Sequence, residues 1–147
     1  MSTSHDSPPP ARVLLAEESL PYRRVIREAL ACFCHCEVDE SSAAERAFEM
    51  SLARPYQLMI LALPLPDMSG GLLDRFIARA YPLAHRGSHT APPVIFIVRS
   101  TDAHAYEELK RSARVRGCLT YPPRLDVLLT LTAGLLPKKS PLPPYVP

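Results

Sequence analysis

The sequence predicts an α/β fold, a doubly wound five-stranded parallel sheet with helices on both faces. Two observations carry this. The runs ARVLLA (Ala11 to Ala16), LMILAL (Leu58 to Leu63) and VIFIV (Val94 to Val98) are apolar almost throughout, the pattern of strands buried on both faces. Between and after them, apolar residues recur at helical spacing, so strand and helix alternate along the whole chain. The length of 147 residues fits one domain with a real core.

ARVLLA is the first strand, bounded by proline before and acid after. Ser19 can cap the first helix with Pro21 in its opening turn; Val25, Ile26, Ala29, Leu30 and Phe33 form one face opposite Arg23, Arg24, Arg27 and Glu28. CHCEVDE is a weaker second strand. Ser42 and Glu45 have capping-box spacing for a helix burying Ala44, Ala47, Phe48 and Leu52, stopped by Arg54-Pro55. LMILAL is the third strand. After the loop PLPDMSGG, Leu72, Leu73, Phe76, Ile77 and Ala80 outline the third helix. The stretch from Ala84 to Pro93 reads as a loop and VIFIV as the fourth strand. Thr101 or Asp102 can cap a helix running through Ala105, Leu109 and Ala113. VRGCLT (Val115 to Thr120) is the fifth strand, and Leu125, Leu128, Leu129, Thr132 and Leu136 mark the last helix.

Composition excludes several classes. Apolar residues at 47% and charged residues at 22% are those of a globular protein, and a net charge of +2 with no basic stripe gives no footprint for nucleic acid. No apolar run reaches the ~20 residues of a membrane helix, and the N-terminus lacks a signal peptide's basic and apolar regions, so neither membrane nor export is expected and the cytoplasm is the default. Proline is abundant, at 17, and clusters at the ends. Residues 1–10 are therefore expected to be a disordered tail, 11–136 the domain, and 137–147 a proline-rich tail with no output domain after it. Cys32, Cys34 and Cys36 flank His35, but their spacing is not that of zinc pairs and Cys118 alone supplies no second pair, so no metal is assigned.

In a parallel sheet, ligands sit at the carboxyl ends of the strands. Those ends deliver Glu17 and Glu18, Ala62, Val98 and Tyr121. Here the chain resembles the receiver domain of two-component response regulators. VLLAEES resembles its first strand and acidic pair, and YQLMILALPLPDMSG its third strand and following loop. PPVIFIVRS resembles the fourth strand, and ARVRGCLTYPP the fifth strand and lysine-proline corner. The likeness spans about Arg12 to Leu136, with one insertion around His85 to Ala91, and implies a flavodoxin-like (βα)5 three-layer sandwich.

In that family, as the resemblance has it, an aspartate ending the third strand takes a phosphoryl group and the acidic pair holds a divalent cation. A hydroxyl and a lysine bind the phosphoryl oxygens, each meeting developing negative charge. Matched residue by residue, the aspartate is Ala62, the hydroxyl Val98, the lysine Tyr121 and the aromatic reporter Cys118; only Glu17 and Glu18 remain. The resemblance thus implies a degenerate receiver, not an enzyme, without cofactor. Two carboxylates lacking a third ligand make a poor magnesium site, and they are expected to bond backbone amides or Tyr121 instead. Asp67 is the one substitute acceptor, the alternative being a phosphoacceptor or metal-dependent phosphoryl-transfer protein using Asp67 with Glu17 and Glu18; its place after Pro66 favours a turn residue. A flavin reading has only fold analogy behind it. The family's docking face around the fourth helix and fifth strand would carry Tyr106, Lys110, Arg111, Arg114, Arg116 and Cys118, suited to an acidic protein partner such as a histidine kinase or another regulator, or to self-association. The helix Ser19 to Phe33, with Arg23, Arg24 and Arg27, is the next candidate face.

Overall fold

The structure, a computed structural model, describes residues 8–140. Residues 1–7 and 141–147, which hold most of the two expected tails, lie outside the described residues. Strands and helices alternate as β1 (Ala11–Ala16), α1 (Leu20–Phe33), β2 (Cys36–Ser41), α2 (Ala44–Ala53), β3 (Leu58–Ala62), α3 (Gly70–Ala84), β4 (Val94–Val98), α4 (Ala103–Leu109), β5 (Val115–Thr120) and α5 (Leu125–Thr132). The five strands are all parallel, in the order β2-β1-β3-β4-β5. The α/β, doubly wound, flavodoxin-like architecture is therefore the one the sequence predicts.

Successive side chains of a strand point to opposite faces, and the core divides accordingly. Val13, Leu15, Ile60 and Ile97 pack under Ile26 and Leu30 of α1 and Leu128 of α5. Leu14, Met59, Leu61 and Phe96 pack under Ala44 and Ala47 of α2 and Leu73 and Ile77 of α3. β3 and β4, covered on both faces, are buried at every residue, which is why they read as unbroken apolar runs.

Several local expectations are corrected. The Ser42–Glu45 capping box does not form: Ala43 is the residue before α2 and offers no side-chain cap. Ser42 is exposed, and it is Ser41, ending β2, whose hydroxyl bonds the Ala43 backbone. The fourth helix stops at Leu109 rather than Ala113, since Ser112 turns the chain toward β5. Of the expected α3 face, Leu73 and Ile77 are buried while Leu72 and Phe76 are exposed, and Val25 and Phe33 of α1 are exposed too. The chain also does not leave the domain at Leu136. His35 N–H donates to the Pro137 carbonyl (2.8 Å), Lys139 N–H to the Phe33 carbonyl (3.1 Å), and Cys34 bridges to Lys138 in an antiparallel pairing. Among the described residues no helix is long and apolar enough to cross a membrane.

Candidate functional site

The carboxyl edge of the sheet gathers the residues singled out from sequence. Glu17 and Glu18 follow β1, Ala62 ends β3, Val98 ends β4, and Tyr121 follows β5. Glu17, Glu18, Tyr22, Pro64, Arg99 and Tyr121 line a shallow concavity of about 420 Å³ there. Ala62 and Val98 are both buried and do not line it.

Glu17 is the centre of this edge, a carboxylate only 3% exposed. The Tyr121 hydroxyl donates to its Oε1, and the Ser19 amide donates to its Oε2 at 2.7 Å. The Tyr121-Pro122 peptide is cis, and the Tyr121 ring turns inward over the site. Burial, reinforced by the bond to Glu17, raises the Tyr121 hydroxyl well above its ordinary range, so it stays a donor at neutral pH. The Tyr22 ring leans on Tyr121 with centroids 5.6 Å apart.

Two arginines complete the edge. Arg23 donates through Nη1 to the carbonyls of Glu17 (2.6 Å) and Glu18 (2.9 Å), and through Nε to Glu40 (3.2 Å). It staples the acidic turn to β2, so it is not the solvent-facing residue of a spare docking helix that the sequence suggested. Arg27 is likewise paired with Glu40. Arg99, directly after β4, is folded onto Asp102: its amide and guanidinium both donate to that carboxylate. Burial works against charge on Asp102, but these bonds outweigh it and hold the carboxyl below its usual range.

Few side-chain oxygens at this edge are free for magnesium. A hard cation needs several oxygens in near-octahedral array. Both Glu17 oxygens are already bonded, the Ala62 side chain offers none, and the adjacent Glu18 stands exposed. Among the described residues no cluster of three His, Cys, Asp or Glu side chains could hold a metal. In the cysteine cluster, burial pushes the Cys34 thiol up and, with Cys34 beside it, Cys36 to about 11.

Asp67 lies outside the concavity. Its Oδ1 accepts from the Ala44 amide and its Oδ2 from the Glu45 amide, both at 2.8 Å. Partial burial works against its charge, yet the amides prevail and lower its pKa. The substitute acceptor is thus a helix cap supplied by a distant loop, filling the place that the Ser42 hydroxyl leaves empty. The same loop explains Gly70: a Cβ there would stand 2.0 Å from the Ala62 carbonyl oxygen. Only glycine lets the start of α3 close over the end of β3.

The expected docking face is partly assembled. Tyr106 packs against Cys118, its hydroxyl pushed up to about 12 by burial and then by Cys118. Lys110 and Arg111, just past α4, are exposed, each paired with a glutamate of that helix, and Arg116 is exposed. Arg114 leaves this face. Its guanidinium makes a two-pronged bond to buried Asp74 of α3 (2.8 and 3.2 Å) and reaches the Ala91 and Pro92 carbonyls.

Arg99, Tyr22 and Arg23 were not anticipated from sequence as site residues. A signal for Arg23 was present: α1 opens with two arginines and no acid in its first turn, against the helix dipole, and such a cation needs local acceptors. Arg99 and Asp102 stand three apart just past β4, a spacing that permits their mutual cap. Tyr22 gave no signal beyond its helical phase.

No family model matches the chain, and no curated protein matches it. Solved structures do. A structure of adenylate cyclase from Rhodopirellula baltica is 16% identical, with a TM-score of 0.70 over 86% of this chain and 87% of that one. The signal receiver domain of a putative Luxo repressor protein from Vibrio parahaemolyticus is 22% identical, with a TM-score of 0.71 over 84% and 88%. The chemotaxis protein CheY4 of Vibrio cholerae is 19% identical, with a TM-score of 0.68 over 86% and 99%. The chain therefore has the fold of response-regulator receiver domains. At these identities it is the fold that the likeness establishes.

Proposed function

We propose that the chain is a degenerate receiver of two-component signal transduction, which accepts no phosphoryl group and acts by phosphorylation-independent protein-protein interaction. Supporting it above all is the Tyr121 hydroxyl bonded to Glu17, beside a buried Ala62. A phosphorylation site needs a nucleophile, a cation and donors aimed at the phosphoryl oxygens. At the matching positions stand a methyl group, a carboxylate with both oxygens engaged, an isopropyl group and a phenol directed at that carboxylate. The protein is non-catalytic in this reading and carries no cofactor or magnesium. Its partner is a histidine kinase or another regulator, or a second copy, met in the cytoplasm without nucleic acid or membrane. Tyr106, Lys110, Arg111 and Cys118 supply the family-like docking face.

The test is incubation with acetyl phosphate and magnesium, followed by intact mass, and with beryllium fluoride and magnesium, followed by thermal unfolding. No added phosphate and no shift in melting temperature are expected. A mass gain of one phosphate on the unmodified chain would end this reading.

A further inference from the structure

The outer face of α3 has no role in the sheet-edge site, yet it is not an ordinary solvated helix surface. Leu72, Phe76 and Leu83 are 38%, 44% and 87% exposed. Their spacing of four and seven residues aligns them in one stripe, about 16 Å long at 1.5 Å rise per residue. Arg75 and Arg79 run along one side of the stripe and Arg86 follows just past the end of the helix, all three exposed. None of the three has a carboxylate within ion-pair distance among the described residues. The helix's one acid, Asp74, is turned inward and neutralised by Arg114. The buried side of the helix is filled by Leu73, Ile77 and Tyr81, so the outer stripe is apolar surface beyond what the core uses.

We propose that this face docks an acidic, amphipathic segment of a protein partner, its apolar residues on Leu72, Phe76 and Leu83 and its carboxylates on Arg75, Arg79 and Arg86. Charge selects the occupant. A two-fold pairing with a second copy would set these arginines against their own equivalents, which disfavours self-association here. Shape selects against a lipid surface. Phe76 is held edge-on by Phe48 of α2, with centroids 6.3 Å apart, which leaves only part of its ring free to enter a bilayer. Beside Leu72 and Arg75 a concavity of about 390 Å³ opens toward Leu109 of α4. A recess of that kind receives a side chain, whereas a bilayer offers none. A helix lying along a groove, anchored at three- and four-residue intervals, is the matching recognition mode. The recess shares Arg99 with the carboxyl edge, but the apolar stripe itself lies on α3, and the phosphate assay does not report on it.

The probe is a fluorescent, helix-forming peptide of about 14 residues, long enough to cover the stripe, with leucine and phenylalanine on one face and glutamate on the other. A copy with lysine for every glutamate is the control, and both are titrated against the full chain by anisotropy. The acidic peptide is expected to bind and to weaken as salt rises, and the basic copy is not. Arg75→Glu with Arg79→Glu, and separately Leu83→Ser, should each weaken binding by about tenfold or more. Leu83 is so exposed that its replacement should leave the urea midpoint unchanged, which separates lost docking from lost folding. Failure of the acidic peptide to bind, equal binding of both peptides, or co-sedimentation of the chain with phosphatidylserine vesicles in place of peptide binding would overturn the proposal.

Discussion

Tyr121 donates its hydroxyl to Glu17, joining the turn after β5 to the turn after β1 across the carboxyl edge of the sheet. The two residues are 104 positions apart, so the bond closes the site only in the folded chain. Tyr121→Phe keeps the ring against Tyr22 and removes the donor, leaving a buried carboxylate oxygen without its partner. A loss of about 1–3 kcal/mol is expected from a buried acceptor so exposed to desolvation. Urea unfolding of the two proteins measures it. Equal midpoints would mean that the hydroxyl contributes nothing and that water replaces it.

The same hydroxyl predicts behaviour in alkali. Tyr121 and Tyr56 are both raised by burial, then by hydrogen bonds to Glu17 and Asp39 respectively. An unfolded tyrosine releases its proton near pH 10. The folded chain keeps these two protons, so their contribution to stability is full below about pH 10 and declines as pH rises above it. In an absorbance titration, the phenolate signal of these residues should appear only together with loss of the far-ultraviolet helix signal. Their ionisation near pH 10 in a chain that remains folded would refute the assignment.

Asp67 supplies the third prediction. As the only side-chain cap on α2 among the described residues, it should be worth about 0.5–2 kcal/mol, lost in Asp67→Ala. Because its folded pKa is lowered, the contribution is complete above the unfolded value of about 3.9 and disappears as pH falls through the folded one. The wild type and the variant should therefore differ in melting temperature at neutral pH and converge in acid. A constant difference at every pH would assign the effect to something other than the carboxylate.

The fold was legible because its strongest signals are local: three unbroken apolar runs and helical periodicity between them decide the sheet and its coverage. The positions of Glu17, Ala62, Val98 and Tyr121 at the strand ends were legible for the same reason. What could not be read were pairings across long separations. The sequence offers Ser42 as a cap because it stands beside α2, whereas Asp67, 22 to 23 residues away, takes the place. Nor does an arginine announce its partner. Arg114 looks like one more surface cation until Asp74, 40 residues earlier, is placed beneath it. Apolar periodicity also overstates burial, as Leu72 and Phe76 show, because a helix buries only the stripe that the sheet can reach.

Arg114 and Asp74 give the last prediction, and it bears on how the docking face is tested. The pair is largely buried, with side chains 18% and 8% exposed, and its two-pronged bond ties α3 to the start of β5. Removing one partner from such a pair strands the other charge, at a cost of about 3–5 kcal/mol. Arg114→Glu should therefore lower the unfolding midpoint sharply, and loss of binding in that variant would report misfolding rather than a missing contact. Lys110 and Arg111 are exposed, each paired only with a neighbouring glutamate, and surface pairs contribute about 0–1 kcal/mol. Lys110→Glu with Arg111→Glu should leave the midpoint nearly unchanged while slowing association with any acidic partner that uses the α4 side. If instead the double variant at Lys110 and Arg111 destabilises the fold as much as Arg114→Glu does, the division into a structural arginine and a docking pair is wrong.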